Sequence, residues 1–220
     1  MSIKSKNGLI LSILATVVIL SACMNEKTTV EKMYDILENV VVAEKVFEEQ
    51  QDPLVSLEKK EKDLYDQIIG LGMKQYNQIV TLSDEASKMA GERKLHMEKE
   101  TKSLNKSEKE FRKVAEIKDD LDNPKLKKQA DELYNLMMKR YKAHDVLFKD
   151  YSEGLKEDKK LYEMFKEKNL PIEELEAQVT KLNKTYEKIY AVNEKFNTLT
   201  EQYNSKKLSF YKQAGITVKN

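Results

Sequence analysis

The sequence predicts an all-α fold: an elongated antiparallel helical bundle, coiled-coil-like, with three long helices plus an N-terminal helical hairpin. Three observations predict it. Residues suited to tight turns are scarce, at 6 Gly and 3 Pro in 220, so little in the chain interrupts a helix. Apolar side chains recur at alternating steps of three and four over stretches of about forty residues, the period of a helix that buries one stripe. Pro53, Pro124 and Pro171 each follow an Asp or Asn within two residues and sit where one such pattern gives way to the next. Proline suits a first helical turn, and Asp or Asn before it caps the free N–H groups. Charged residues make up 35% of the chain, a composition that also suits disorder, but the sustained apolar spacing excludes that for most of the length.

The first element is an export signal. Lys4 and Lys6 precede a 12-residue run, Leu9 to Leu20, interrupted only by Ser12 and Thr16. A membrane-spanning helix needs about 20 apolar residues, so the run fits the apolar region of a signal peptide. Leu20-Ser21-Ala22-Cys23 follows. It resembles the bacterial lipobox, in which a large apolar residue and two small ones precede a cysteine. That resemblance implies that Leu20, Ser21 and Ala22 are the signal-peptidase recognition residues. It also implies that the Cys23 thiol takes a diacylglycerol through a thioether, and that the chain is cut between Ala22 and Cys23. Residues 1–22 are then removed, and 23–220 form a single helical lipoprotein domain. Each buried methylene contributes about 0.8 kcal/mol, and two acyl chains hold a protein at a membrane where one does not. Cys23 is the only cysteine, so no internal disulfide is possible.

In the mature chain, Val30, Met33, Leu37, Val40 and Phe47 mark a first short helix. Leu57, Leu64 and Ile68, then Met73, Tyr76 and Val80, mark a second, kinked or interrupted at Gly70 and Gly72. Thr81 or Ser83 caps a third helix reaching to about Asp120. Its stripe is thin, since only Met97 and Leu104 are apolar between Leu95 and Phe111, so it is expected to fray or project. The fourth runs from about Lys125 to Glu167 along Leu126, Ala130, Leu133, Met137, Tyr141, His144, Phe148, Tyr151, Leu155, Asp158, Tyr162 and Phe165. The last, Pro171 to Gln213, is about 60 Å long. One of its two heptad series is wholly apolar: Leu175, Leu182, Ile189, Phe196, Tyr203, Phe210. The other turns polar at Asn193, Thr200 and Lys207, so the seam is expected to loosen there. Ala214-Gly215 ends the helix.

Without Lys4 and Lys6 the mature chain carries 37 basic and 38 acidic residues. Near-neutrality gives no support for nucleic-acid binding. Charge is uneven along the chain, however. Glu26 to Asp66 holds 12 acids and 6 bases, and Lys88 to Lys113 holds 9 bases and 5 acids. Either the two stretches face each other, which is favoured, or the basic one meets an anionic polymer or membrane.

No catalytic, cofactor-binding or metal site emerges from the sequence. His96 and His144 have no metal-ligand spacing; His144 falls on the apolar stripe as a hydrogen-bonded core residue, and His96 faces solvent. Ser-x-x-Lys occurs at Ser56, Ser103 and Ser209, against roughly two chance matches, without the companion Ser-Asp-Asn and Lys-Thr-Gly. The 11 tyrosines pack mostly on seams, with Tyr190 and Tyr211 the better candidates for outward contact.

A lipobox before an entirely helical, Lys/Glu-rich body of about 200 residues resembles the YkyA-type cell-wall-binding lipoproteins of Gram-positive bacteria. The resemblance implies a non-enzymatic protein, lipid-anchored on the outer face of the cell membrane, with no cofactor beyond the diacylglycerol on Cys23. Its partners would be the membrane, through the anchor, and peptidoglycan or teichoic acid. The alternative is a coiled-coil module that docks an envelope protein, motivated by the polar seam from Asn193 to Lys207.

Overall fold

The computed structural model describes residues 27–217. Four long helices dominate: α1 (Thr29–Gly70), α2 (Tyr76–Phe111), α4 (Pro124–Phe165) and α5 (Ile172–Gln213), with a short α3 (Val114–Ile117) between α2 and α4. Single 3₁₀ turns follow Gly72 and Ile117. The described residues contain no strand.

The helix ends follow from local chemistry. Thr28 and Glu31 form a reciprocal cap on α1: Thr28 N–H donates to Glu31 Oε2 at 2.8 Å, and Glu31 N–H donates to Thr28 Oγ1 at 3.2 Å. Asn123 Oδ1 accepts from the N–H groups of Lys125 and Leu126 at 2.9 and 3.3 Å, with Pro124 as the first helical residue. At the other end of the chain, Gly215 adopts φ +74°. Ile216 N–H reaches Tyr211 O at 2.9 Å and Gly215 N–H reaches Lys212 O at 3.3 Å, a Schellman stop.

Two expectations are corrected. Pro53 does not start a helix; it lies inside α1, which runs unbroken through it. A mid-helix proline costs about 3 kcal/mol, but the buried set Phe47, Gln50, Leu54, Leu57, Glu61, Leu64 and Ile68 keeps steps of three and four across it. Fully burying a single large apolar side chain contributes about 1.5–3 kcal/mol, so the packing outweighs the proline. The first short helix read from the sequence and the Leu57–Ile68 part of the second are therefore one, while Tyr76 and Val80 belong to α2. The break falls at Gly70–Gly72, and α2 begins at Tyr76, ahead of the expected caps. Thr81 Oγ1 instead bonds back to Asn77 O at 3.1 Å, and Ser83 is buried in the helix interior.

The chain divides into two compact units, each containing part of all four long helices. The first comprises residues 27–48, 103–143 and 194–217 among those described. Its core includes Met33, Leu37, Val40, Leu104, Phe111, Leu133, Met137, Tyr141, Phe196, Tyr203 and Phe210. Phe111 is the aromatic hub, stacked on Tyr134 and meeting the Tyr141 and Tyr203 rings edge-on. The second comprises residues 49–102 and 144–193. Its core groups Leu54, Ala90, Met97, Leu147, Tyr151, Leu155 and Ile189, with a neighbouring set of Leu64, Ile68, Ile79, Ala86 and Tyr162. Within each unit neighbouring helices run antiparallel: Asn39–Glu110 with Phe47–Ser103 and Glu132–Lys206 with Arg140–Thr200 show it in the first, and Gln50–His96 with Glu61–Arg93 and Gly154–Ile189 with Glu157–Lys181 in the second.

The α4 and α5 stripes are buried as expected, with Phe148, Phe165 and Leu175 only partly covered. The α2 stripe does not fray. Ile79, Ser83, Ala86, Ala90, Arg93, Met97, Glu100, Leu104, Ser107 and Phe111 are buried in an unbroken alternation of four and three, with Ser103 buried beside them. Arg93, Glu100 and Ser107 occupy it because they find partners on other helices, whereas the buried Ser83 hydroxyl has no hydrogen-bond partner among the described residues.

Candidate functional site

The lipobox residues Leu20, Ser21 and Ala22 and the lipid-attachment residue Cys23 lie outside the described residues. Within them, the chemistry-bearing side chains form buried polar clusters and exposed charged faces.

The largest cluster is in the second unit, around Arg93 of α2, which is 3% exposed. Its Nη1 donates to Glu61 Oε2 of α1 at 2.8 Å and sits 3.4 Å from Asp158 Oδ2 of α4. Its Nε donates to the Tyr151 hydroxyl at 2.9 Å and its Nη2 to the Tyr186 hydroxyl at 3.1 Å. Two of the hydroxyls pass these bonds onward, Tyr151 to Glu58 Oε1 at 2.6 Å and Tyr186 to Asp158 Oδ2, and the Tyr162 hydroxyl donates to Glu61 Oε1 at 3.0 Å. The guanidinium also lies 4.9 Å from the Tyr151 ring centroid. Burial opposes its charge, but Tyr186, Tyr151, Glu61 and Glu58 outweigh that and raise its pKa well above the usual value. Burial, reinforced by Glu61, pushes the Asp158 carboxyl up to about 7 despite Arg93 and Tyr186. Burial likewise keeps the Tyr151, Tyr162 and Tyr186 hydroxyls protonated. All four long helices contribute, so the cluster fixes their register in this unit.

The first unit has two smaller clusters. Arg140 is 2% exposed and forks onto both oxygens of Glu44 at 2.8 and 2.9 Å, with Nε donating to Thr200 Oγ1 at 2.8 Å. Its guanidinium lies 4.7 Å from the Phe196 ring centroid. Ser107 Oγ donates to Glu44 Oε1 at 2.6 Å and lies 2.6 Å from the Tyr141 hydroxyl. The second pairs Lys207 with Glu38 at 2.9 Å, and Tyr211 donates its hydroxyl to the same Glu38 oxygen at 2.7 Å. Burial pulls the Lys207 pKa below its usual value against the Glu38 charge.

These contacts revise the reading of several residues. Thr200 and Lys207 do not loosen the α5 seam, because Arg140 and Glu38 occupy them from within the chain. That removes the motive for a partner helix at these two positions. Tyr211 is 1% exposed and belongs to the core, while Tyr190 is 53% exposed. His144 is buried with Nε2 3.3 Å from Glu100 Oε1. His96 is half-buried rather than solvent-facing, its Nδ1 2.9 Å from Gln50 Oε1. The acidic and basic stretches do face each other along α1 and α2, yet among the described residues only Arg93 of the basic set forms an ion pair with the acidic one, through Glu58 and Glu61. Following the three-four alternation through polar residues would have placed Arg93 and Glu100 in the core.

An open groove of about 620 Å³ runs between α4 and α5 in the first unit, lined by Asn135, Leu136, Lys139, Gln202 and the Glu132–Lys206 ion pair among others. Among the described residues no three His, Cys, Asp or Glu side chains converge as metal ligands. No described helix is long and apolar enough to cross a membrane.

An all-α chain of antiparallel helices with polar clusters sealed in its core matches a lipoprotein family. The chain belongs to the YkyA family, described as "Putative cell-wall binding lipoprotein", which matches residues 28–213. It is 37% identical over 205 residues to "Uncharacterized lipoprotein YkyA" of Bacillus subtilis (strain 168), covering 93% of this chain and 92% of that one. A 1.6 Å crystal structure of a conserved protein of unknown function from Staphylococcus aureus shares the fold, with a TM-score of 0.72. It is 18% identical and covers 85% of this chain and 97% of its own.

Proposed function

We propose that this protein is a lipid-anchored, extracytoplasmic lipoprotein that binds cell-wall polymer and carries out no chemistry on it. One observation carries the reading: the buried ionisable groups are closed on one another. Arg93, Glu61 and Asp158 are 3–4% exposed, with Arg93 bonded to both carboxylates, and the buried Arg140 and Lys207 close on the half-buried Glu44 and Glu38. Groups locked in this way hold a register and leave ligand contact to the outer helix faces. The family description and the lipobox at Leu20 to Cys23 support the same reading, with diacylglycerol on Cys23 holding the mature chain at the outer face of the membrane.

The test is co-sedimentation of the mature lipoprotein, solubilised in detergent, with purified wall sacculi. Retention on the sacculi is expected; failure to sediment ends the wall reading. Mass spectrometry of the N-terminal peptide from the native host checks the anchor separately, with a diacylated Cys23 expected and an unmodified one overturning it.

A further inference from the structure

α2 turns a row of lysines to solvent. Lys99, Lys102, Lys106 and Lys109 are all exposed and lie at steps of three, four and three. At about 100° per residue they fall within about 80° of the helix circumference, and they span about 15 Å of its axis. The row follows from the helical repeat of α2 alone.

The surrounding charges single these four out. Between Lys88 and Lys113, Glu92 pairs with Lys88, Glu98 with Lys94, Glu108 with Arg112, and Glu110 with Lys113. Glu100 is buried on His144, and Arg93 is buried on Glu61 and Asp158. The net excess of four positive charges in this stretch therefore rests on the four lysines of the row.

We infer that this row is a binding site for a phosphodiester polyanion of the cell wall. The inference rests on the wall-binding reading above and names its ligand class and surface. Three features select this ligand. The cations are ammonium groups on flexible stems, which act as point charges and suit a mobile polymer of repeating single charges; planar, bidentate carboxylate recognition favours arginine. Of the three arginines in the chain, Arg93 and Arg140 are buried and Arg112 is paired with Glu108. The row is also one side chain wide and flanked by Glu92, Glu98 and Glu110. A flat anionic membrane would press those acids against its headgroups, whereas a thread touches the lysines alone.

The test uses detergent-solubilised mature lipoprotein as the wild type, as a row variant (Lys99→Gln, Lys102→Gln, Lys106→Gln and Lys109→Gln together), and as a charge-matched control. The control carries Lys149→Gln, Lys184→Gln, Lys188→Gln and Lys195→Gln, all exposed positions. Glutamine keeps helix propensity close to that of lysine, and circular dichroism checks the fold. Binding is measured on intact sacculi, on sacculi stripped of phosphodiester polymer by acid extraction, and on vesicles of anionic phospholipid. Expected is wild-type binding to intact sacculi that is lost on stripping, falls with added salt, and weakens about tenfold or more in the row variant but not in the control.

Equal wild-type binding to intact and stripped sacculi overturns the polyanion and leaves the wall reading standing. Binding to neither removes both. A row variant that binds intact sacculi like wild type, or a control weakened as much as the row variant, overturns the site. So does a row variant that loses only vesicle binding.

Discussion

Replacing Asp158 by Asn isolates the energetics of the Arg93 cluster. Asp158 faces Glu58 and Glu61 from α1, Arg93 from α2, Tyr151 and Tyr162 from its own helix and Tyr186 from α5, and burial with the Glu61 charge raises its pKa from 3.8 to about 7. Below about pH 4 the folded and unfolded chains both hold the Asp158 proton, and its contribution to stability is whole. Between about pH 4 and 7 the unfolded chain releases the proton while the folded chain retains it. Stability then falls by up to about 1.4 kcal/mol per pH unit. Above about pH 7 the loss is complete, at most about 4 kcal/mol in all. Asparagine has no proton to release and still accepts from the Tyr186 hydroxyl. Asp158→Asn should therefore match or fall below wild type near pH 4.5 and gain on it steadily up to pH 7.5. Urea unfolding followed by circular dichroism across that range gives the difference directly. Parallel stability curves for wild type and variant would refute the reasoning. As a companion, Arg93→Leu should cost about 3–5 kcal/mol at pH 7.5, since it strands buried carboxylates, and less at pH 4.5, where Asp158 is neutral.

Other perturbations follow from the same geometry. Lys207→Met should be close to neutral, because the thioether fills the same space and Glu38 keeps the Tyr211 hydroxyl, whereas Glu38→Ala leaves a buried ammonium and should cost several kcal/mol; thermal unfolding at pH 7.5 compares the two. Gly215→Ala places a Cβ at φ +74° and should lower stability by about 1–2 kcal/mol in the same assay. Gly91→Ala sits in the α2 interior, with only Lys159 Nζ within 4 Å of the new Cβ, at 3.6 Å, and should add about 0.5–1 kcal/mol.

The local signals proved legible because they lie a few residues apart. The apolar stripes of α4 and α5 recur every three or four positions, so the faces holding Leu133, Met137, Leu182, Ile189 and Phe196 could be read directly. The Asn123–Pro124 start and the Gly215 stop are likewise contained within one turn of chain. Even Arg93 and Glu100 obeyed that spacing, although their charge disguised it.

Partners far along the chain could not be read this way. Glu44 and Arg140 are 96 positions apart, and which carboxylate meets a given guanidinium depends on helix register, which only packing decides. The same holds for Pro53, where the local rule breaks the helix and burial on either side keeps it whole. It holds for Tyr211, whose off-seam position indicated solvent until Glu38 and the core closed over it. The four lysines of α2 show the division clearly. Their positions are written in the sequence, but that the excess charge of the Lys88–Lys113 stretch falls on them was decided by the pairs the tertiary structure makes around them, because an ion pair forms only where folding brings opposite charges within a few ångströms.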